Sequence, residues 1–323
     1  MTITSEVVTK DDFEEGLNRA LAKVTNSEHG LFGPSSMMWR LARHALIGAH
    51  GSGRALLLQI AHPWVTQGIA EHSATRHDPL GRAVRTFTAV ISIVYGNVQQ
   101  AVRQARIVRA VHDNVEGVVK TDSGMFAKGS RYQANEAHAM LWVHATLWDT
   151  SVVMHELFYG PLSSYEKEKF YEETKLFAFM FGIPEGVIPP TWQDFVEYNR
   201  MMWDSDQLFV NAETRDLAKF LFDPLHPILS PAMAWLKMIT AETLSDRLRS
   251  DFALEKPNPT VLKAGIGMVR SAQIILPPVI RFGPSYVEAT RRVSGKHSTR
   301  MTRKITKTLF GKEELVALSR QQK

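Results

Sequence analysis

No cysteine occurs among the 323 residues, and that absence alone removes several chemistries. Disulfides, thiolate-ligated haem, cysteine-ligated iron–sulfur clusters and zinc sites built on cysteine are excluded, so any metal must be held by histidine or carboxylate. Long apolar runs are missing as well. The best candidate, 266–280, is interrupted by Arg270, Gln273 and a Pro-Pro pair, and nothing approaches the roughly 18 uninterrupted apolar residues of a spanning helix. The N-terminal MTITSEVVTKDDFEEG is polar and acidic. Without the basic and apolar regions of a secretory leader, it makes the cytoplasm the expected location.

Several catalytic signatures are also absent. The string GAHGSGRA has glycines at 48, 51 and 53, which is not the order of a dinucleotide-binding loop, and a helix rather than a strand is expected before it. There is no Gly-x-Ser-x-Gly elbow and no Gly-Lys-Ser/Thr phosphate loop. His155-Glu156 opens a zincin-like string, but its fifth position is Tyr159 instead of histidine. No glutamate is followed by histidine three residues on, so the paired motifs of carboxylate-bridged di-iron bundles are missing.

What is present is a large apolar fraction, 44%, enough for a substantial core. Alternating strand patterns are scarce and helix punctuation recurs throughout, so the expected class is all-α. Thr9 with Asp12 predicts a first helix to Val24. A second helix carrying Trp39, Leu41, Ala42 and Leu46 is expected to end in a glycine-rich turn over 48–53, with a new helix from about Gly53 closing near His62, because Pro63 disfavours helix at the residue before it. Asp78-Pro79 predicts an N-cap and first helical residue, and Gly96-Asn97 should separate that helix from one running over 97–119. Asn135 and Glu136 open a run to Phe158. Ser163 with Glu166, and Thr191 with Asp194, mark two further starts. Helices are expected over 216–222, 230–249 and 260–276. The implied organisation is an N-terminal helical segment (1–30), one main helical domain (31–255), and C-terminal helices with a basic tail (256–323).

The net charge of +5 is unevenly spread. Residues 291–323 hold ten Lys and Arg against Glu313 and Glu314, a net +8, leaving −3 for the rest. Such a tail can touch an anionic membrane surface or nucleic acid. The ordinary expectation is a solvated or loosely docked terminus, with no specific nucleic-acid role.

Polar residues inside apolar helices are the candidate functional groups. Ala101, Ala105, Val108, Val115 and Val119 have the spacing of one buried helix face, and His112 falls on it with Arg109 one turn earlier. A metal for the imidazole and an anion for the guanidinium would satisfy both. A core histidine hydrogen-bonded to backbone is the commoner outcome for such a residue taken alone. Arg82, Arg85 and Thr86 form one polar patch on the preceding helix, where two cations a turn apart invite an anion or else extend to water along the helix edge. His144, in LWVHATLW, and His62 and His72, on either side of the Pro63 break, can line a pocket or act as core and turn residues.

Taken in order, Gly53-Arg-Ala-Leu-Leu-Leu-Gln-Ile-Ala-His-Pro63, Ala70-Glu-His-Ser73, Asp78-Pro-Leu-Gly-Arg82, Arg85-Thr86, Val108-Arg-Ala-Val-His112 and Trp142-Val-His-Ala-Thr146 resemble the MpaB-type oxygenase family. That family shares its catalytic domain with the rubber-cleaving latex-clearing proteins. The resemblance spans about residues 31 to 250. It implies an all-helical domain holding one haem b, a histidine as axial ligand, and oxidative cleavage of double bonds in isoprenoid chains. The family's Arg-x-x-His motif falls on Arg109 and His112, which makes His112 the implied iron ligand and Arg109 a charge partner of the haem. Its Arg-x-x-Lys-Thr pattern falls on Arg82, Arg85 and Thr86. Here the chain departs, because rubber-cleaving members carry lysine where Arg85 stands, and a guanidinium is a far poorer iron ligand. A five-coordinate or water-bound iron is then expected, with Arg85 contacting propionate, dioxygen or substrate. Rubber-cleaving members are exported, so polymer cleavage outside the cell is not expected here.

The leading reading is a haem-dependent oxygenase or oxidase that takes dioxygen, a small hydrophobic substrate and an unidentified electron donor. In it His112 anchors iron, Arg85 and Thr86 stabilise developing charge, and Arg82 and Arg109 hold porphyrin carboxylates. Two alternatives stay open. A non-catalytic helical carrier of haem or an apolar ligand would bind porphyrin without consuming oxygen, and a cofactor-free interaction protein would take up no hemin.

Overall fold

The computed structural model describes residues 6–72, 79–223, 226–277 and 281–318. The described helices are, in order, α1 (Lys10–Leu21), α2 (Met37–Ala42), α3 (Ala45–Ile60), α4 (Pro63–His72), α5 (Pro79–Tyr95) and α6 (Val98–His112), followed by a short hairpin of β1 (Glu116–Val118) and β2 (Arg131–Gln133). Next come α7 (Ala137–Tyr159), α8 (Ser164–Phe179), α9 (Trp192–Asp204), α10 (Ala212–Phe222), α11 (Ser230–Thr243) and α12 (Asp246–Asp251). The chain closes with α13 (Pro259–Ile275), α14 (Pro284–Val293) and α15 (Arg300–Phe310). The strands pair antiparallel, Glu116 opposite Gln133. The fold is all-α, as the sequence predicts.

Helix starts follow local chemistry. Thr9 with Asp12, Asn97 with Gln100, Ser163 with Glu166 and Thr191 with Asp194 each form a reciprocal capping box at the head of α1, α6, α8 and α9, satisfying backbone N–H groups that the first turn leaves unpaired. Asp78, the expected cap of α5, lies outside the described residues, although that helix does begin at Pro79.

α7 is apolar on nearly every side and therefore occupies the middle, with Trp142, Ala145 and Met154 fully buried. α3 lies along it, α11 packs on α3, α5 and α6 form a helical hairpin, and α1 and α2 rest on α8. Val8, Trp142 and Val316 belong to one core cluster, so both ends of the described chain close on the same interior.

Four expectations are corrected. The stretch 48–53 is helix interior, since α3 runs through it without a break. Its glycines serve close approach: a Cβ on Gly51 would come 2.7 Å from Thr150 Cγ2 on α7, and one on Gly53 would overlap Thr240 Oγ1 on α11. α6 ends at His112 and not at Val119, because 116–118 pairs with 131–133 instead of continuing the helix. The run 230–249 is broken at Leu244, and Ser245 caps a new helix. The C-terminal segment, through residue 318, is docked rather than loose. Buried Arg292 donates to the Val316 carbonyl, and buried Glu288 accepts from Leu315 N at 2.9 Å and Val316 N at 3.0 Å.

A buried ion pair joins the three central helices. Arg54 on α3 meets Asp149 Oδ2 at 2.6 Å, donates to Thr150 Oγ1 at 2.7 Å on α7, and donates through Nε to the Thr243 carbonyl at 2.9 Å on α11. A guanidinium this deep is tolerated because its charge and N–H groups are answered.

Candidate functional site at the α5–α6 hairpin

The tight Gly96-Asn97 turn makes α5 and α6 antiparallel neighbours, which brings the N-terminal half of α5 level with the last turn of α6. Arg82, Arg85 and Thr86 come from the first, Arg109 and His112 from the second. His112 is the last residue of α6 and is half-buried. Burial, followed by the Arg109 charge, lowers its pKa to about 4 against the opposing effects of a hydrogen bond with Asn135 and the nearby Asp113 carboxylate. The imidazole is therefore neutral at physiological pH and carries a lone pair, the form a metal requires.

Arg109 is placed differently from the expectation. Its Nε donates to Asp113 Oδ1 at 2.8 Å, its Nη1 donates to the carbonyls of Val8 at 3.0 Å and Thr9 at 3.2 Å, and its guanidinium lies 5.7 Å from the centre of the Phe13 ring. These bonds fasten the N-terminal segment to α6. The guanidinium is thus engaged by the fold itself. Arg82 is half-buried, and burial together with the Arg85 charge lowers its pKa. Arg85 and Thr86 are exposed.

Along α5 the burial changes abruptly. Ile93, Val94 and Tyr95 are buried, whereas Val84, Val90 and Ile91 are only half-covered and Phe87 is exposed. The apolar side chains of the first half thus retain surface that protein atoms do not cover. A neutral imidazole, two guanidinium groups and incompletely covered apolar side chains at one end of a hairpin suit a flat apolar group carrying carboxylates, and in that sense the residues fit a porphyrin. Among the described residues no group of three or more His, Asp or Glu is placed to hold a metal ion, so a metal here would depend on one protein imidazole and on ligands of its own.

The remaining candidates have other partners. His144 is buried in α7, where its Nδ1 accepts from Trp148 Nε1 at 3.1 Å and burial lowers its pKa to about 3. His62 is buried between Trp64 and Phe126, with ring centroids 6.1 and 5.2 Å away, its Nδ1 has no hydrogen-bond partner, and its pKa falls to about 4 through burial. His72 ends α4 and its Nε2 lies 2.9 Å from the Glu116 carbonyl, tying that helix to β1.

Other residues escaped the sequence reading. Asn135 and Asp113 flank His112, yet Asn135 is joined to it only by the return of the hairpin, a relation no local pattern encodes. His44 and His155 both pack against Tyr159, with centroid distances of 3.8 and 5.3 Å, and each has an Nδ1 without a partner. Burial and the neighbouring Arg43 charge lower the His44 pKa to about 3. A cavity of about 650 Å³ lined by Arg40, Arg43, Lys169, Trp39 and Tyr286 opens nearby. It does not include the hairpin residues.

Known proteins resemble this chain over much of its length. The family described as the catalytic domain of ER-bound oxygenase mpaB/B′ and rubber oxygenase matches residues 39–272, which span α3 to α12 and nearly all of α13. Two curated relatives, an uncharacterised protein of Mycobacterium tuberculosis and one of Mycobacterium bovis, are each 27% identical over 209 residues, covering 62% of this chain and 78% of theirs. No solved structure matches.

Proposed function

The chain belongs to the mpaB and rubber-oxygenase catalytic-domain family, and from that premise we propose that it is a haem b-dependent oxygenase acting on a small hydrophobic substrate, with His112 as the iron ligand. One observation carries the reading: His112 is a neutral, half-buried imidazole at the end of α6, level with the cationic start of α5. When bound, the haem would supply the redox chemistry that activates dioxygen, which no side chain of this protein can provide.

The protein's own contributions follow from placement. Asn135 hydrogen-bonds the His112 ring, fixing its orientation as the outer partner of a metal-binding histidine commonly does. Arg82 and Arg85 would supply positive charge for the carboxylates of a bound haem, and Arg85 with Thr86 would offer hydrogen-bond donors to a polar group held there. Arg109 acts at one remove, as a positioning residue that holds the N-terminal segment against the turn bearing His112. Half-covered Val84, Val90 and Ile91 with exposed Phe87 give an apolar wall that suits a hydrophobic substrate or the porphyrin face.

Titration of the purified protein with hemin tests this. A saturable Soret band is expected, with oxygen uptake when a reductant and an unsaturated apolar substrate are added. Hemin binding without oxygen uptake would leave a carrier, and no hemin binding at all would remove the cofactor from the account.

A further inference from the structure

α13 presents an apolar face that no part of the described protein covers. Ile274 is 81% exposed, Ile275 83% and Met268 73%, and Ile228, in the turn leading into α11, is 78% exposed. On the opposite side of α13, Leu262 and Gln273 are buried, and Gly265 lets the helix lie against the Trp235 ring of α11. The helix is therefore seated firmly on one side and presents Val261, Ala264, Met268 and Ile275 as one stripe on the other, with Ile274 about a quarter-turn round, next to Lys263 and Arg270. Isolated exposed apolar residues are ordinary on any surface, but a contiguous set on one helix face marks a contact.

Charge identifies the contact. Between Glu255 and Glu288 the sequence contains no acidic residue and four cations, Lys256, Lys263, Arg270 and Arg281. The turn and most of α11, residues 226–241, add Lys237 and again no acid. Lys263 and Arg270 are seven residues apart and so stand along one margin of the apolar stripe. Arg270 is held there by two hydrogen bonds to the Leu157 carbonyl, at 3.1 and 2.8 Å. Pairing this face with a second copy would bring its cations together with no carboxylate to answer them. A peripheral helix with an apolar face, a cationic margin and no acid is matched to the headgroup region of an anionic bilayer, with the apolar side chains at the acyl boundary and the cations among phosphates. Among the described residues no helix is long and apolar enough to cross a membrane, so the contact lies in the plane of the interface.

We propose that α13 forms a docking surface for an anionic lipid bilayer, through exposed Met268, Ile274 and Ile275 with Lys263 and Arg270 at their edge. This goes beyond the haem reading and stands without it.

Co-sedimentation of the full chain with vesicles of phosphatidylcholine containing phosphatidylglycerol, compared with phosphatidylcholine alone, tests it. Binding to the anionic vesicles is expected, weakened by added salt. The double variant Met268→Asp with Ile275→Asp should weaken it roughly tenfold or more, and Lys263→Gln with Arg270→Gln should remove its salt dependence. Because Met268, Ile275 and Lys263 are exposed, the melting temperature should hold in the first pair, and Lys263→Gln alone serves where Arg270 disturbs folding. His112→Ala should bind vesicles like the parent protein, which separates this contact from the haem site. Absence of binding, or binding indifferent to the Met268 and Ile275 changes, overturns the assignment. So does binding lost instead with Lys304→Gln and Lys307→Gln in α15, or a dimer in light scattering that the aspartate pair dissociates.

Discussion

Gly51→Ala provides a sharp test of how the central helices pack. In a helix interior, replacing glycine by alanine ordinarily gains about 1 kcal/mol through propensity. At Gly51 the new Cβ would lie 2.7 Å from Thr150 Cγ2 and 3.2 Å from Met154 Cγ on α7. Thr150 is buried and its hydroxyl accepts from Arg54 at 2.7 Å, so the methyl cannot turn away without breaking that bond. Overpacking of this kind costs about 1–3 kcal/mol, which cancels or exceeds the propensity gain. Gly48 is the internal control, since it lies in the same helix, is exposed, and would meet only Phe87 Cε1 at 3.7 Å. Gly48→Ala should raise the urea midpoint, whereas Gly51→Ala should leave it unchanged or lower it, with a difference between them of about 1–3 kcal/mol. Thr150→Ser removes the obstructing methyl and keeps the hydroxyl for Arg54, so Gly51→Ala should cost markedly less in that background. If both alanines stabilise equally and Thr150→Ser shows no coupling, α3 does not approach α7 as described.

Two further outcomes follow from the buried groups. His62 has a folded pKa of about 4 against an ordinary 6.5, so as pH falls the unfolded chain takes up its proton first. The stability present above pH 6.5 is lost between 6.5 and 4, by about 3 kcal/mol for this residue at 1.36 kcal/mol per pH unit. Urea unfolding across that range should show the loss, and His62→Gln should reduce it by about that amount while His44, His112 and His144 keep the remainder; a profile unchanged by the substitution would mean the ring is accessible to protons in the folded state. Arg109→Met should speed hydrogen exchange around Val8 and Thr9 while leaving hemin affinity within a few-fold, and a collapse of hemin binding with no change in that exchange would instead assign Arg109 to the cofactor.

The legible parts of this fold are those whose causes are local. A capping box uses residues three apart, so the starts of α1, α8 and α9 were readable from Thr9, Ser163 and Thr191, and Asn97 marked the start of α6. The glycine stretch in α3 misled because glycine's local tendency is to break helices, while its reason for being there is Thr150, far along the chain. Val115 and Val119 continued a helical spacing beyond His112, but the strand partner that ends the helix lies at 131–133. At the site, the grouping of Arg82, Arg85, Thr86 and His112 at one end of a hairpin was accessible because a short turn joins two helices. The partners of Arg109 were not, since the carbonyls of Val8 and Thr9 reach it only through tertiary folding.

An absorbance titration with hemin shows whether His112 holds a cofactor at the α5–α6 hairpin. A saturable Soret band is expected that His112→Ala abolishes or strongly weakens, with His62→Ala, His72→Ala and His144→Ala retaining it where they fold. An unchanged spectrum in folded His112→Ala protein, or loss confined to one of the other three histidines, would contradict it.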